Sequence, residues 1–462
     1  MKGQTDVSHV STTPLPRILI SGTGSGCGKT TVTCAVLKAL VNRGMKVGAF
    51  KCGPDYIDTM FHARITGSPC SNLDPFFFNE DTLKYILAKN GGGNRINVIE
   101  GVMGYYDGLG MSGNASTWEV SKKTNSPVVL VVGAKGAALS IMAVIKGFVD
   151  LFEDNKICAV IFNNCQPMMY KLLAEETIRR FDGRIRPLGF LPPMPDCSLE
   201  SRHLGLVTAA EVKDLNEKLE RLAQQAEKSI DLDGMIESAD QSLPLTFTPP
   251  SIPVFEDAVR IAVARDKAFC FYYEDSLDVL RQMGAELVDF SPLSDPALPE
   301  NIQGLYLGGG YPELYTKELS ANVSMLESIR EAVSSGLPCI AECGGFMYLT
   351  QTIGEEKMAG VLPGTCFNTG KLTRFGYITL EAKKENMLCG KGGQIKGHEF
   401  HHWDCTENGD GFSAVKPNGR SWNCVFANES LYAGFPHFHF LANVEFAARF
   451  YRAALEAVAL GS

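Results

Sequence analysis

The chain has no CxxC pair, although 14 cysteines are spread through its 462 residues. The knuckle spacing of a structural zinc site is therefore missing. Cysteines scattered through a chain of this length read as reduced thiols, not as a disulfide framework. Long apolar runs are also lacking: stretches such as Pro127 to Val132 fall well short of the roughly 20 residues that span a bilayer. The residues ahead of Arg17 are rich in Ser and Thr without an apolar core, so 1–16 reads as a loose tail and not a signal peptide. Clusters of Lys and Arg are absent and the formal charge is -9, which argues against a nucleic-acid surface as partner. No internal repeat of solenoid period is present. These absences together leave a cytoplasmic protein acting on small molecules, without a nucleic-acid or membrane partner; a homodimer is compatible with them.

What is there is the balance of a globular protein, 45% hydrophobic and 21% charged, in a chain too long for one ordinary core. Apolar, β-rich runs at Arg17 to Ser21, Lys46 to Phe50, Asn97 to Ile99, Val128 to Val132 and Ile157 to Phe162 are separated by helix-length sequence. That alternation predicts a parallel sheet covered on both faces. From Thr208 to Ala239 the composition turns to Glu, Lys, Leu and Gln with helical periodicity. The Pro-rich stretch SLPLTFTPPSIPVF follows, and its prolines favour an extended interdomain connection. The expected domains are 17–250 and 251–462. In the second, Ile261 to Ala264, Glu286 to Phe290, Gly304 to Leu307 and Cys339 to Ala341 read as strands and Asp275 to Met283 as a helix. The fold class is α/β in both halves.

The strongest local signal is ILISGTGSGCGKTT, residues 18 to 31, where an apolar strand meets a Gly-rich turn and then the helical stretch Val32 to Asn42. A phosphate needs close backbone approach and several N–H donors, which Gly24, Gly26, Gly28 and a helix N-terminus supply. Lys29 would reach the outer phosphates of ATP, Thr30 would bind Mg2+, and Thr31 follows in the same turn. Position 23 is Thr where the strict Walker pattern has Gly, so the phrase reads GTxSxxGKT. That spacing resembles the P-loop of the dethiobiotin synthetase type, whose members activate carboxylates.

Two acidic phrases follow other strands: FKCGPDYID, residues 50 to 58, and VIEGVMGYYDG, residues 98 to 108. Ligands of open α/β sheets sit outside the strand C-termini, so Asp55, Glu100 and Asp107 are candidates for holding magnesium or orienting substrate. Each alone is more often a solvated loop acid or a helix cap, and it is their joint placement after strands that favours the site reading. Asn163 ends another strand; its amide is placed either to read adenine or to cap a loop.

In the second half, LPCIAECGGFMYLTQ puts Cys343 after a buried strand and before Gly344 and Gly345. A sharp strand-to-helix turn exposes a nucleophile there, and the helix N-terminus is expected to lower the thiol pKa. An oxyanion needs donors, and LGGGYPE offers the run that includes Gly309 and Gly310, with Gly344 beside the nucleophile. AGFPHFHF supplies His437 and His439 as candidate bases. HEFHHWDC, residues 398 to 405, crowds three histidines, acids and a thiol. Its spacing fits no common zinc template, so contact with an acidic substrate or packing at the domain interface is the preferred reading.

In this order, GTGSGCGKTT, KCGPDYID, EGVMGYYDG, ESRHLGL, FCFYYEDSLDVL, LGGGYPE, AECGGFMYL, GHEFHH and HFHF resemble the cobyrinic acid a,c-diamide synthases, from Arg17 to about Arg452. The resemblance implies a synthetase domain similar to dethiobiotin synthetase joined to a triad-type glutaminase domain. ATP would phosphorylate the c and then the a carboxylate of cobyrinic acid, and ammonia from glutamine would displace the phosphate. It also implies that Asp55, Tyr56, Ile57, Glu100 and Asp107 govern substrate orientation and activation. Lys29, Thr30 and Lys51 would hold nucleotide, magnesium and acyl-phosphate charge, with Cys343 as nucleophile and His437 as its base. Many glutaminases of this type carry an acid two residues after the histidine; here that position is His439, which leaves the orienting group unassigned. Related branches that amidate nickel-containing or metal-free tetrapyrroles share these motifs.

An ATPase switch of the partition type would explain the first site but give no role to Cys343 or the second domain. A catalytically silent glutaminase-fold regulator is the other rival. A carboxylate is a poor electrophile, so amide formation needs both phosphoryl activation and a nitrogen donor, and the chain carries a candidate site for each.

Overall fold

In the computed structural model, which describes residues 10–197, 199 and 214–461, the chain divides into two compact units, Met1–Pro250 and Ser251–Ser462. The first is built on seven strands: β1 (Arg17–Gly22), β2 (Val47–Cys52), β3 (Ser71–Leu73), β4 (Ile96–Glu100), β5 (Val128–Gly133), β6 (Ile157–Asn163) and β7 (Arg186–Leu191). They are all parallel, in the order β3-β2-β4-β1-β5-β6-β7. The strands predicted in this half are present; β3 and β7 are additional, too short or too mixed in composition to stand out.

Helices α1 (Lys29–Asn42) and α2 (Ile57–Thr66) cover one face together with α3 (Leu215–Ser229). The KTTVTCAVLKALVN sequence of α1 is apolar nearly all round, because it is sandwiched between the sheet and α3. Leu215, Leu219, Leu222 and Ala226 of α3, at helical spacing, close that layer.

One expectation needs correction. Ser11–Thr13 is not loose tail but a strand paired antiparallel with Leu245–Phe247, which lies inside the Pro-rich connection. The ESRHLGL phrase, 200–206, lies outside the described residues.

The second unit holds β8 (Arg260–Ala264), β9 (Glu286–Phe290), β10 (Gly304–Leu307), β11 (Cys339–Glu342) and helix α4 (Gly344–Leu349). Its further strands are β12 (Arg374–Ala382), β13 (Gln394–His401), β14 (Phe412–Val415), β15 (Ser421–Cys424), β16 (Phe426–Ala427), β17 (Leu431–Gly434) and β18 (His437–Phe438). One sheet runs β9-β8-β10-β11-β17-β16, parallel except at the β16 edge. A second sheet, β15-β14-β12-β13-β18, is antiparallel, and two smaller sheets accompany them. No helix among the described residues is long and apolar enough to cross a membrane.

Candidate functional site

At the C-terminal end of β1 the chain enters the Gly-rich turn, and Gly28 adopts φ 96° at the N-cap of α1. Only glycine fits there: a Cβ on Gly28 would lie 1.9 Å from the Asn163 side-chain amide. Asn163 donates that amide to the Cys27 carbonyl at 3.0 Å, a contact that braces the loop. Thr23 to Cys27 and Gly133, Ala137, Ser140 and Ile141 line a cavity of 450 Å³. Lys29 folds back on the Gly24 carbonyl at 3.2 Å, and burial lowers its pKa.

Beside the turn lies a buried charge cluster that strand register creates. Lys51 of β2 and Glu100 of β4 are direct cross-strand partners, with Nζ 3.0 Å from Oε1. Lys51 also pairs with Asp58 at 2.6 Å and donates to the Gly101 carbonyl at 3.1 Å. The Thr30 hydroxyl donates to Glu100 Oε1 at 2.6 Å. The other oxygen of Glu100 is 2.6 Å from His62 Nε2. Burial alone would raise the Glu100 carboxyl, but Lys51, His62 and Thr30 together hold it well below the usual range. Burial raises the Asp58 carboxyl to about 6 against the pull of Lys51. Lys51 stays firmly charged because Asp58 and Glu100 outweigh its desolvation.

The acids beside Thr30 are therefore Glu100, at 2.6 Å, and Asp58, at 3.5 Å. Asp55 accepts from the Asp58 amide at 2.9 Å and caps the first turn of α2. It remains near enough to act electrostatically on both Lys51 and Asp58. Tyr56 is buried at the mouth of α2, and Ile57 opens the helix half-buried. Asp107 is committed to its own loop, accepting from the Gly104 amide at 2.8 Å. That loop abuts the Gly-rich turn, since the Tyr105 amide donates to the Gly22 carbonyl at 2.9 Å. Thr31 sits half-buried in the first turn of α1. Asp58 and His62 were missed in the sequence, although their i, i+4 spacing puts them on one face of α2.

The donor set Thr30, Glu100 and Asp58 is all oxygen and net acidic, which suits a hard cation such as Mg2+. The Gly-rich turn at the N-terminus of α1 suits nucleotide phosphates.

In the second unit, Cys343 joins β11 to α4 with φ 46° and ψ -100°, a sparsely populated backbone for a residue with a side chain. Its amide donates to the Gly434 carbonyl at 2.8 Å, tying the bend to β17. The glycines around it are dictated by contact: a Cβ on Gly345 would sit 2.2 Å from the Leu307 carbonyl, and one on Gly344 3.1 Å from the Gly310 amide nitrogen. A Cβ on Gly309 would fall 2.5 Å from His437 Cε1 and 3.3 Å from its Nε2. The Gly309–Gly310 run, the elbow at Gly344 and the His437 imidazole thus share one corner.

His437 and His439 are separated in role by the fold. His439 Nδ1 accepts from the Leu441 amide at 3.1 Å and caps a short 3-10 helix, while its ring packs on Tyr273. His437 turns Nδ1 toward Glu342 at 3.4 Å and its other edge toward Gly309. Burial, with Glu313 and Glu399 nearby, pushes the Cys343 thiol up, opposite in direction to the lowering expected of a helix N-terminus, and the Gly344 amide only partly offsets this.

The HEFHHWDC phrase is dispersed by strand alternation. His398 stacks on the His437 ring, with its pKa pushed well below normal by burial. His401 stacks on Phe435, and Cys405 faces Cys366 across two strands. Among the described residues no group of three or more His, Cys, Asp or Glu is placed to hold a metal.

Fold and site define the class: an amidating ligase in which a P-loop nucleotide-binding unit is joined to a glutamine amidotransferase unit. Residues 18–207 match the family model described as CobQ/CobB/MinD/ParA nucleotide binding domain. Residues 260–444 match the CobB/CobQ-like glutamine amidotransferase domain. The cobyrinate a,c-diamide synthase of Clostridium acetobutylicum is 40% identical over 434 residues, covering 93% of this chain and 98% of that protein. The enzyme of the same name from Caldanaerobacter subterraneus is 40% identical over 450 residues, covering 94% and 97%. That of Thermoplasma volcanium is 39% identical over 445 residues, covering 94% and 96%. The chain belongs to the cobyrinate a,c-diamide synthase family and is an ATP-dependent amidating ligase.

Proposed function

We propose that the protein converts the a and c carboxylates of cobyrinic acid to amides through acyl-phosphate intermediates, in the cytoplasm, as a step of cobalamin biosynthesis. The observation that carries this reading is the coexistence of a phosphate turn backed by the Lys51–Glu100–Asp58 cluster with a strained cysteine elbow packed on the Gly309–Gly310 run, which His437 also borders. A phosphoryl acceptor that is itself an anion has to be brought to an anionic nucleotide. Lys29 and Lys51 supply the positive charge that offsets the repulsion. Thr30, Glu100 and Asp58 would hold Mg2+, which when bound supplies charge neutralisation on the phosphates. Asp107 and Gly104 fix the loop that faces the Gly-rich turn.

In the other unit the Cys343 sulfur attacks the side-chain amide carbon of glutamine. The thiol proton passes to His437 Nε2 and then to the departing nitrogen, which leaves as ammonia. Water cleaves the thioester to glutamate, and the Gly309, Gly310 and Gly344 amides stabilise the oxyanion at both stages. Ammonia then displaces phosphate from the acyl phosphate.

The test is incubation with cobyrinic acid, ATP, magnesium and glutamine, read by mass spectrometry of the corrin. Two successive acid-to-amide shifts are expected, with C343A losing them on glutamine and keeping them on ammonium salts. An unchanged corrin, or shifts on a nickel-containing or metal-free tetrapyrrole instead, would overturn the substrate assignment.

A further inference from the structure

The orienting acid of the glutaminase base is not where glutaminases of this type are expected to carry it, because that position is His439 and His439 is occupied as a helix cap. The fold supplies another. Glu342 is the last residue of β11, immediately before the nucleophile, and is 1% exposed. β11 and β17 run parallel with Glu342 opposite Gly434, and the chain turns back after Gly434 to bring His437 over the end of β11. Glu342 Oε2 then lies 3.4 Å from His437 Nδ1, and Oε1 accepts from the Phe438 amide at 3.4 Å.

We infer that Glu342 is the positioning residue for His437, completing a Cys–His–Glu arrangement in which acid and nucleophile are adjacent in sequence. This rests on the reading of Cys343 and His437 as a glutaminase pair. A carboxylate facing Nδ1 fixes the tautomer with the proton on Nδ1. Nε2, on the edge toward Gly309, is thereby left as the base. When Nε2 takes the thiol proton, the imidazolium forms against the Glu342 carboxylate. Both Glu342 contacts are longer than ordinary hydrogen bonds, the relation expected of a catalytic contact that tightens once substrate is bound.

The other buried acids near the nucleophile do not serve. Glu399 follows His398 on β13 and so points to the opposite face from the ring that stacks on His437. Its nearest basic side chains are His401 at 3.6 Å and Arg374 at 4.0 Å. Glu313 lies in the segment after the glycine run, and burial raises its carboxyl to about 7.

The test compares E342Q and E342D with the full-length wild type. Expected for E342Q is a fall in glutaminase kcat of about 100-fold or more. The KM for glutamine should stay within about threefold, amidation from ammonium salts should be unchanged, and E342D should recover part of the loss. The pH profile of Cys343 alkylation by iodoacetamide should shift in E342Q, which a merely structural role would not produce. Near-unchanged kcat, or a loss carried by KM alone, would overturn the assignment. Should E342Q lose its near-ultraviolet circular dichroism, 15N-histidine NMR of the wild type decides: a proton on Nδ1 of His437 supports the role and one on Nε2 overturns it. C343A tested in parallel separates failure of this inference from failure of the glutaminase reading, because only the latter leaves C343A with glutamine-driven activity.

Discussion

Gly309 and His437 approach so closely that a methyl group on the glycine would lie 2.5 Å from the imidazole Cε1. The middle glycine of the Gly308–Gly310 run therefore borders the candidate base, and its amide is one of those proposed to face an oxyanion. G309A should cut glutamine-driven amidation by about 100-fold, the scale of losing an oxyanion donor or displacing a general base. Ammonia-driven amidation should stay intact. Parallel assays with the two nitrogen donors check this, and equal loss on both would refute it.

The two histidines of the HxH phrase should separate cleanly. H437Q should abolish glutaminase activity without a large change in melting temperature. H439Q removes a cap and a ring packed on Tyr273. It should lower stability by about 1 kcal/mol, while glutaminase kcat remains within a few fold. Steady-state kinetics with thermal melts on both variants gives the comparison.

Lys51 is the keystone of the buried cluster, bonded to Asp58, Glu100 and the Gly101 carbonyl. K51M would leave two neighbouring carboxylates without their cation. Breaking a buried pair on one side costs about 3–5 kcal/mol, so the first unit should melt markedly earlier and amidation should fail with either donor. Denaturant unfolding, with Trp118 as the probe within that unit, reports the first effect.

Glu313 gives a pH dependence of definite direction. Burial raises its folded-state pKa from 4.5 to about 7, so between these values the native state binds the proton more tightly than the unfolded chain. Its contribution to stability is full below the unfolded pKa and is lost as pH rises through the folded one. The melting temperature should therefore fall more steeply from pH 5 to pH 8 in the wild type than in E313Q, which cannot ionise. Calorimetric scans at several pH values would show parallel curves if this account were wrong.

Much of this was legible in the chain because it depends on local pattern. The central strands are apolar runs, the phosphate turn is a glycine phrase between strand and helix, and the elbow is marked by Cys343 with two glycines. What escaped depends on pairing across sequence. Glu342 reads as the polar end of a strand until β17 sets His437 above it. The choice between Asp55 and Asp58 turns on which of two acids, one helical turn apart, faces the sheet. β12 through β15 carry charged and glycine residues on their open face, so their antiparallel sheet shows weakly in periodicity although every neighbour is fixed by register.

The backbone at Cys343 lies in a region that only glycine enters without strain. Replacing this cysteine with glycine should therefore make the chain melt higher than the alanine variant, while both are equally silent toward glutamine. Reactivity and robustness are opposed at that single bend, and the sturdier molecule is the one that has given up its sulfur.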